Sequence, residues 1–177
     1  MTKVKMMTKT IVVYGCDNSG KTTACQNLEE ILTERGYRVK VIHSPGPVSA
    51  ADMINFMAEN TRNDPSIDIR ILDRFPAIEE PVYGPLLRNE NKLADFHGLC
   101  SYYMDKVDRF IYCDPGISSV NNWGTREQME GVKENVNVIR DMYIALVYKY
   151  PTLVWAQIYN WKKTGTDGLR NLVSDLL

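Results

Sequence analysis

Thr10 to Thr23 reads TIVVYGCDNSGKTT. An apolar, β-branched run breaks into a glycine-bearing loop, and the loop opens a long helical pattern. Within it, Gly15 to Thr22 spells G-x-x-x-x-G-K-T, the phosphate-binding P-loop spacing, with the strand before and the helix after that the pattern requires. Gly15 and Gly20 let the backbone fold tightly with its N–H groups turned inward. A polyphosphate then fits the concavity at a helix N-terminus, where the helix dipole adds partial positive charge. Asn18, Ser19 and Thr23 belong to the same cradle. Lys21 is placed to reach the β and γ phosphates and the Thr22 hydroxyl to bind Mg²⁺, so ATP and Mg²⁺ are the expected cofactors.

The chain has 177 residues, which suits one domain able to bury roughly two-thirds of its unfolded surface. Apolar residues make up 44% and charged residues 24%, the balance of an ordinary globule, and no run is long and apolar enough to span a membrane. Residues 1–9, MTKVKMMTK, are basic but too short and polar for a signal-peptide core, so a loose tail and a cytoplasmic protein are expected. Cys16, Cys25, Cys100 and Cys113 show no C-x-x-C spacing, and two lie in or just after the loop; free thiols are expected, without a zinc site or disulfide frame. A net charge of −1 argues against a strong global grip on nucleic acid but leaves room for a local basic groove.

Strand and helix signals alternate along the chain, the pattern of an α/β protein whose parallel sheet is covered on both faces. Strands are expected at Thr10–Tyr14, Tyr37–His43, Ile67–Asp73, Arg109–Cys113 and Thr152–Ile158. Helices are expected at Lys21–Arg35, Val48–Asn60, Leu93–Lys106 and Thr166–Leu177, and from a capping box at Thr125 and Gln128 to about Tyr150. Ala77 to Arg88 looks helical but contains Pro81 and Pro85, so a broken segment is expected there.

The second chemical signature closes the third strand, where the apolar run IRIL ends in Asp73-Arg74. In a parallel sheet the carboxyl ends of the strands lie beside the nucleotide crevice, so both side chains emerge at the P-loop. Asp73 there can serve the metal or accept a proton from an attacking oxygen, while Arg74 can bind phosphate bidentately.

These stretches together resemble the thymidylate kinase family of nucleoside monophosphate kinases over most of the chain. GCDNSGKTT matches the family's loop form G-x-D-x-x-G-K-[ST]-T, with Asp17 at its third position; LDRFPAIEEPVYG is similar to its strand-borne Asp-Arg and following substrate segment, and FIYCDP to its fourth strand. The resemblance implies a P-loop kinase three-layer sandwich over 10–177, with five parallel strands and a lid at about 115–126. It puts Asp17 near the acceptor sugar and Arg74 near the acceptor and transferred phosphates. NFMAENTRN is a fainter match to a helix whose arginine lies near the acceptor base, which makes Arg62 a candidate beside the alternative of a solvated surface arginine.

Two departures bear on mechanism. Some members carry a basic residue inside the loop, where this chain has Asp17-Asn18-Ser19. Between Asp114 and Lys133 the sole basic residue is Arg126, either the cation that a closing lid brings to the developing charge or a helix-surface partner of Glu130. The catalytic candidates are therefore Lys21, Asp73, Arg74 and Arg126. The stretch EEPVYGPLLR, Glu79 to Arg88, is more similar to phage-encoded branches of the family, one of which phosphorylates 5-hydroxymethyluracil already in DNA. Tyr83 could stack on a base, Arg88 could hold a phosphate, and Glu80 is a further acceptor-side candidate. Trp123 and Trp161 are weighed as stacking platforms against ordinary packing.

The leading reading is phosphoryl transfer from ATP to a deoxynucleoside monophosphate, cytoplasmic, or in the host cytoplasm if the chain is phage-encoded. The alternative is a kinase acting on 5-hydroxymethyluracil in DNA, for which Asp73 or Glu80 would be the base. A nucleotide-switched binding module is the third. No membrane partner is expected, and a homodimer is left open.

Overall fold

The computed structural model describes residues 7–46, 48–116 and 130–174. Five strands, β1 (Lys9–Tyr14), β2 (Val39–His43), β3 (Ile69–Asp73), β4 (Arg109–Cys113) and β5 (Gln157–Tyr159), form one sheet in the order β2-β3-β1-β4-β5. Every pairing is parallel, with Val13 level with Asp73 on one side and with Ile111 on the other. Strands covered on both faces read as continuous apolar runs, and Ile11, Val12 and Val13 are fully buried.

Alternation along the strands divides the core into two layers. Ile11, Val13, Ile71 and Ile111 face α1 (Lys21–Glu34) and α6 (Trp161–Leu172) through Leu28, Ile31 and Leu169. Val12, Tyr14, Leu72 and Tyr112 face the other way, toward α2 (Ala50–Asn60), α3 (Pro76–Arg88), α4 (His97–Met104) and α5 (Val136–Lys149). Tyr14 stacks on Tyr112 at 5.2 Å and meets Tyr143 of α5 at 5.9 Å.

Several expected boundaries are corrected. Ala77 to Arg88 is not broken: α3 runs unbroken through Pro81 and Pro85, because Ile78, Val82 and Tyr83 bury on it and offset the two lost backbone bonds. The helix expected from Leu93 begins at His97, after a 3₁₀ turn at Ala94–Phe96. Thr125 and Gln128 lie outside the described residues; Glu130 to Asn135 are turns, with Gly131 at φ 81°, so the described helix starts only at Val136. The strand expected at Thr152–Ile158 is a 3₁₀ turn at Pro151–Trp155 followed by the short β5, since Leu153 turns inward to the core. The closing helix expected from Thr166 is preceded by a helical turn that starts at Trp161, capped by the Asn160 side chain, and the two meet at a kink at Gly165, φ 52°. The tail is anchored by Thr8, whose hydroxyl donates to the Asp64 carbonyl at 2.8 Å. All four cysteines are buried and free. No described helix is long and apolar enough to cross a membrane.

Candidate active site

The loop after β1 wraps into a cradle because its backbone takes conformations that side chains resist. Gly15 sits at φ 145° and Gly20 at φ 89°, with Asn18 left-handed at φ 61°. A Cβ on Gly15 would lie 2.5 Å from the Cys113 carbonyl oxygen of β4, so only glycine fits there. Gly20 is the N-cap of α1 and makes no side-chain cap bond, so the helix's first N–H groups are left to a ligand. Buried Lys21 folds back and donates to the Cys16 carbonyl at 2.7 Å. The Ser19 hydroxyl is buried within the loop and has no partner among the described residues. Thr23, one turn into α1, faces solvent. The Trp161 indole at the start of α6 lies 3.0 Å from where a Gly20 Cβ would be, so this tryptophan abuts the cradle; Trp123 lies outside the described residues.

The end of β3 supplies the acidic partner. Asp73 Oδ2 accepts from the Thr22 hydroxyl at 3.0 Å and stands 3.0 Å from His43 Nδ1 at the end of β2. Its Oδ1 is buried and has no partner among the described residues. A hydroxyl and a carboxylate side by side, with one oxygen unsatisfied, are a donor set that suits a hard divalent cation.

Arg74 follows in the left-handed region at φ 76°, an unusual conformation for a bulky side chain. That turn aims its guanidinium between two carboxylates: Nη2 donates to Asp17 Oδ1 at 2.5 Å and Nη1 to Glu79 Oε2 at 3.2 Å. Two tyrosines complete the group. Tyr83 donates to Asp17 Oδ2 at 2.7 Å, and Tyr143 of α5 donates to Glu79 Oε1 at 2.7 Å. The two carboxyls are driven apart. Burial opposes ionisation of Asp17, but the charges of Lys21 and Arg74 and its two hydrogen bonds hold it below the ordinary range. For Glu79, burial outweighs Arg74, Lys21 and the Tyr143 bond, and its carboxyl is pushed up.

Beside this group lies a cleft of about 220 Å³, open to solvent, whose walls include Pro45, Met53, Arg74, Glu79, Tyr83 and Arg88. Glu80 also lines the cleft and is engaged on both oxygens: one is ion-paired with Arg88, and the other accepts the Lys92 backbone N–H at 3.0 Å. Lys92 also closes the rim, its ammonium donating to the Val48 carbonyl at 3.1 Å. Arg88 keeps a buried Nε that has no partner among the described residues. Tyr83 is a core residue with one edge on the cleft, since its ring packs on Tyr143.

One described sequence candidate is not in this group. Arg62 is exposed after α2, where its carbonyl accepts from Arg70 at the amino end of β3, so it stands at the opposite end of the sheet from the cleft. Arg126 lies outside the described residues. Sequence reading missed Glu79 as a partner of Arg74, along with Tyr143 and Lys92. It also missed Arg140, whose guanidinium grips Asp114 just past β4 at 2.6 Å and 3.1 Å. Of these only Glu79 carried a signal, one helical turn beyond an Asp-Arg pair.

No family model matches the chain. A stretch of 64 residues, 36% of the chain, is 34% identical to a probable thymidylate kinase of Archaeoglobus fulgidus, and it spans 33% of that protein's length. The fold is similar to the YorR protein of Bacillus subtilis in complex with phosphorylated GDP, with TM-score 0.67 and 16% identity over 95% of both chains. It is similar also to the thymidylate kinase of Candida albicans, with TM-score 0.60 and 13% identity over 96% of this chain and 92% of that one. A third likeness, to the NadR protein in complex with NR, has TM-score 0.63 and 16% identity over 95% of this chain and 52% of the other. The chain has the α/β P-loop kinase-like fold, with its glycine-bearing loop and the open cleft at the carboxyl edge of one parallel sheet.

Proposed function

We propose that this protein transfers the γ-phosphoryl group of ATP to a deoxynucleoside monophosphate, in the manner of a thymidylate kinase. The observation that carries this reading is the Asp17–Arg74 pair beside the P-loop, with Arg74 lining a cleft open to solvent. The backbone of Gly15–Gly20 and the Lys21 ammonium hold the ATP phosphates, and Arg74 orients the acceptor phosphate for in-line attack. The acceptor oxygen is already anionic, so no base is needed. Thr22 and Asp73 would hold Mg²⁺, which when bound supplies charge neutralisation of the phosphates.

A second reading keeps a specific observation in its favour. Arg74 and Arg88, the arginines lining this cleft, are both already paired with carboxylates, which suits a neutral acceptor such as the hydroxymethyl group of 5-hydroxymethyluracil in DNA. The test is transfer of labelled γ-phosphate to each deoxynucleoside monophosphate, to 5-hydroxymethyl-dUMP and to duplex DNA containing 5-hydroxymethyluracil. Label in a free diphosphate is expected. Label in the DNA alone would replace the first reading with the second, and label in neither would sink both.

A further inference from the structure

Arg74 is the cation placed for an acceptor phosphate, yet in the free protein it is not waiting for one. Its two terminal nitrogens are engaged by carboxylate oxygens of Asp17 and Glu79. A carboxylate pair around a guanidinium occupies the same donor directions that two phosphate oxygens would use. A phosphate entering this arrangement unchanged would meet two neighbouring negative charges in a partly dry site.

The two carboxylates differ in how firmly they are held. Asp17 is fastened on both oxygens, by Arg74 at 2.5 Å and by the Tyr83 hydroxyl at 2.7 Å, and it belongs to the loop that carries ATP. Glu79 holds Arg74 by the longer bond, 3.2 Å, through Oε2, while its Oε1 is fixed separately by the Tyr143 hydroxyl at 2.7 Å. Oε2 can therefore let go while Oε1 stays in place. We propose that Glu79 occupies the acceptor-phosphate position of the free protein. An incoming monophosphate takes Arg74 Nη1 from Glu79 Oε2, and the released carboxyl takes one proton from solvent.

The proton balances the exchange. Before binding, Arg74 offsets the Glu79 charge; afterwards it faces the phosphate, and a buried carboxylate without its cation would be costly. Protonated at Oε2, Glu79 still accepts from Tyr143 at Oε1 and now donates toward the phosphate oxygen. The charged and titratable groups facing Glu79 come from every packed element. They are Arg74 after β3, Tyr143 on α5, Lys21 at the start of α1 and Asp17 in the P-loop. Tyr83 on α3 also feels its charge. Lys21, the remaining cation of that set, will be committed to ATP, so among the described residues no second positive group of the set replaces Arg74. Burial already pushes the Glu79 carboxyl up, which makes the proton easy to acquire.

This inference rests on Arg74 as the acceptor-phosphate ligand and goes further, in that it makes Glu79 a residue that sets acceptor affinity through pH. The test is calorimetric titration of deoxynucleoside monophosphates into wild type and Glu79→Gln at about pH 8, in two buffers of different protonation heat. Wild type is expected to take up close to one proton per acceptor bound. Its affinity should fall by as much as about tenfold per pH unit above the Glu79 titration, as proton linkage requires. Glu79→Gln is expected to take up none and to bind at least about tenfold more tightly at that pH. The glutamine comparison cancels the phosphate's own ionisation. Zero uptake by the wild type overturns the proposal whatever the variant does, and so does equal uptake by both. Unchanged affinity in Glu79→Gln would overturn it as well, since Glu79 would then not compete with the acceptor for Arg74. Failure of both proteins to bind any monophosphate while ATP still binds would remove the acceptor reading itself, and the latch with it.

Discussion

At the scale of single residues, the site is governed by Arg74. Its left-handed backbone costs about 1 kcal/mol for a side chain of this kind, and the carboxylates of Asp17 and Glu79 over-determine that conformation. Asp17 carries the clearer consequence for stability. Its carboxyl titrates in the folded protein below its ordinary value of 3.8, so its contribution is present above that value and lost as the pH falls through the depressed one. Asp17→Asn is therefore expected to lower stability at neutral pH and to flatten the acid limb. Urea unfolding between about pH 6 and about pH 2 would check this, and an unchanged slope would show that Asp17 is not held ionised. The Cys16 thiol in the same loop is pushed by burial to about 11 and the Cys113 thiol to about 12, so neither is ionised at neutral pH.

At the scale of elements, α3 does the most with the least regular sequence. Pro76 opens it at the first helical position, where a missing N–H costs nothing, and Asn89 closes it in the left-handed conformation at φ 52°. Gly84 is required near its end, because a Cβ there would run into the Glu90 carbonyl and the Glu80 carboxylate. The interior prolines are the anomaly. Pro85 is exposed and leaves the Pro81 carbonyl without its helical donor, so Pro85→Ala restores a hydrogen bond while removing little packing. It is expected to stabilise the protein by about 1–2 kcal/mol, the gain being reduced by the greater freedom of the unfolded chain. Denaturant unfolding with an unchanged slope would measure it, and no gain would mean that the freed carbonyl is already satisfied by water.

At the scale of the whole molecule, the parallel sheet works as an alignment device. It delivers the ends of β1, β2, β3 and β4 to one edge, so that the P-loop, His43, Asp73 and Asp114 arrive together from across the chain. Binding at that edge should be felt globally. ATP at about a hundredfold its dissociation constant is expected to stabilise the fold by about 2.7 kcal/mol, a rise in Tm of about 5–10 °C. Lys21→Ala should fold and lose most of that shift in a thermal melt with and without ATP; retention of the full shift would refute the cradle. How much of this could be read in advance follows from how the parts are encoded. The cradle, its strand and helix and the Asp73-Arg74 strand end were legible in the sequence, because each is written in contiguous residues whose spacing or backbone demand is particular to them. The sequence by itself thus determined the glycine-bearing loop between β1 and α1, the fold class and the acidic and basic pair at the strand end. Only the tertiary structure decided that Arg62 stands at the far end of the sheet, that Glu80 is locked by Arg88 and Lys92, and that α3 continues through its prolines. It alone placed Tyr143, 64 residues away, on Glu79 and so set that carboxyl against Arg74. Such contacts depend on where packed helices cross the sheet edge, and burial, not periodicity, selects them, so they leave no local mark on the chain.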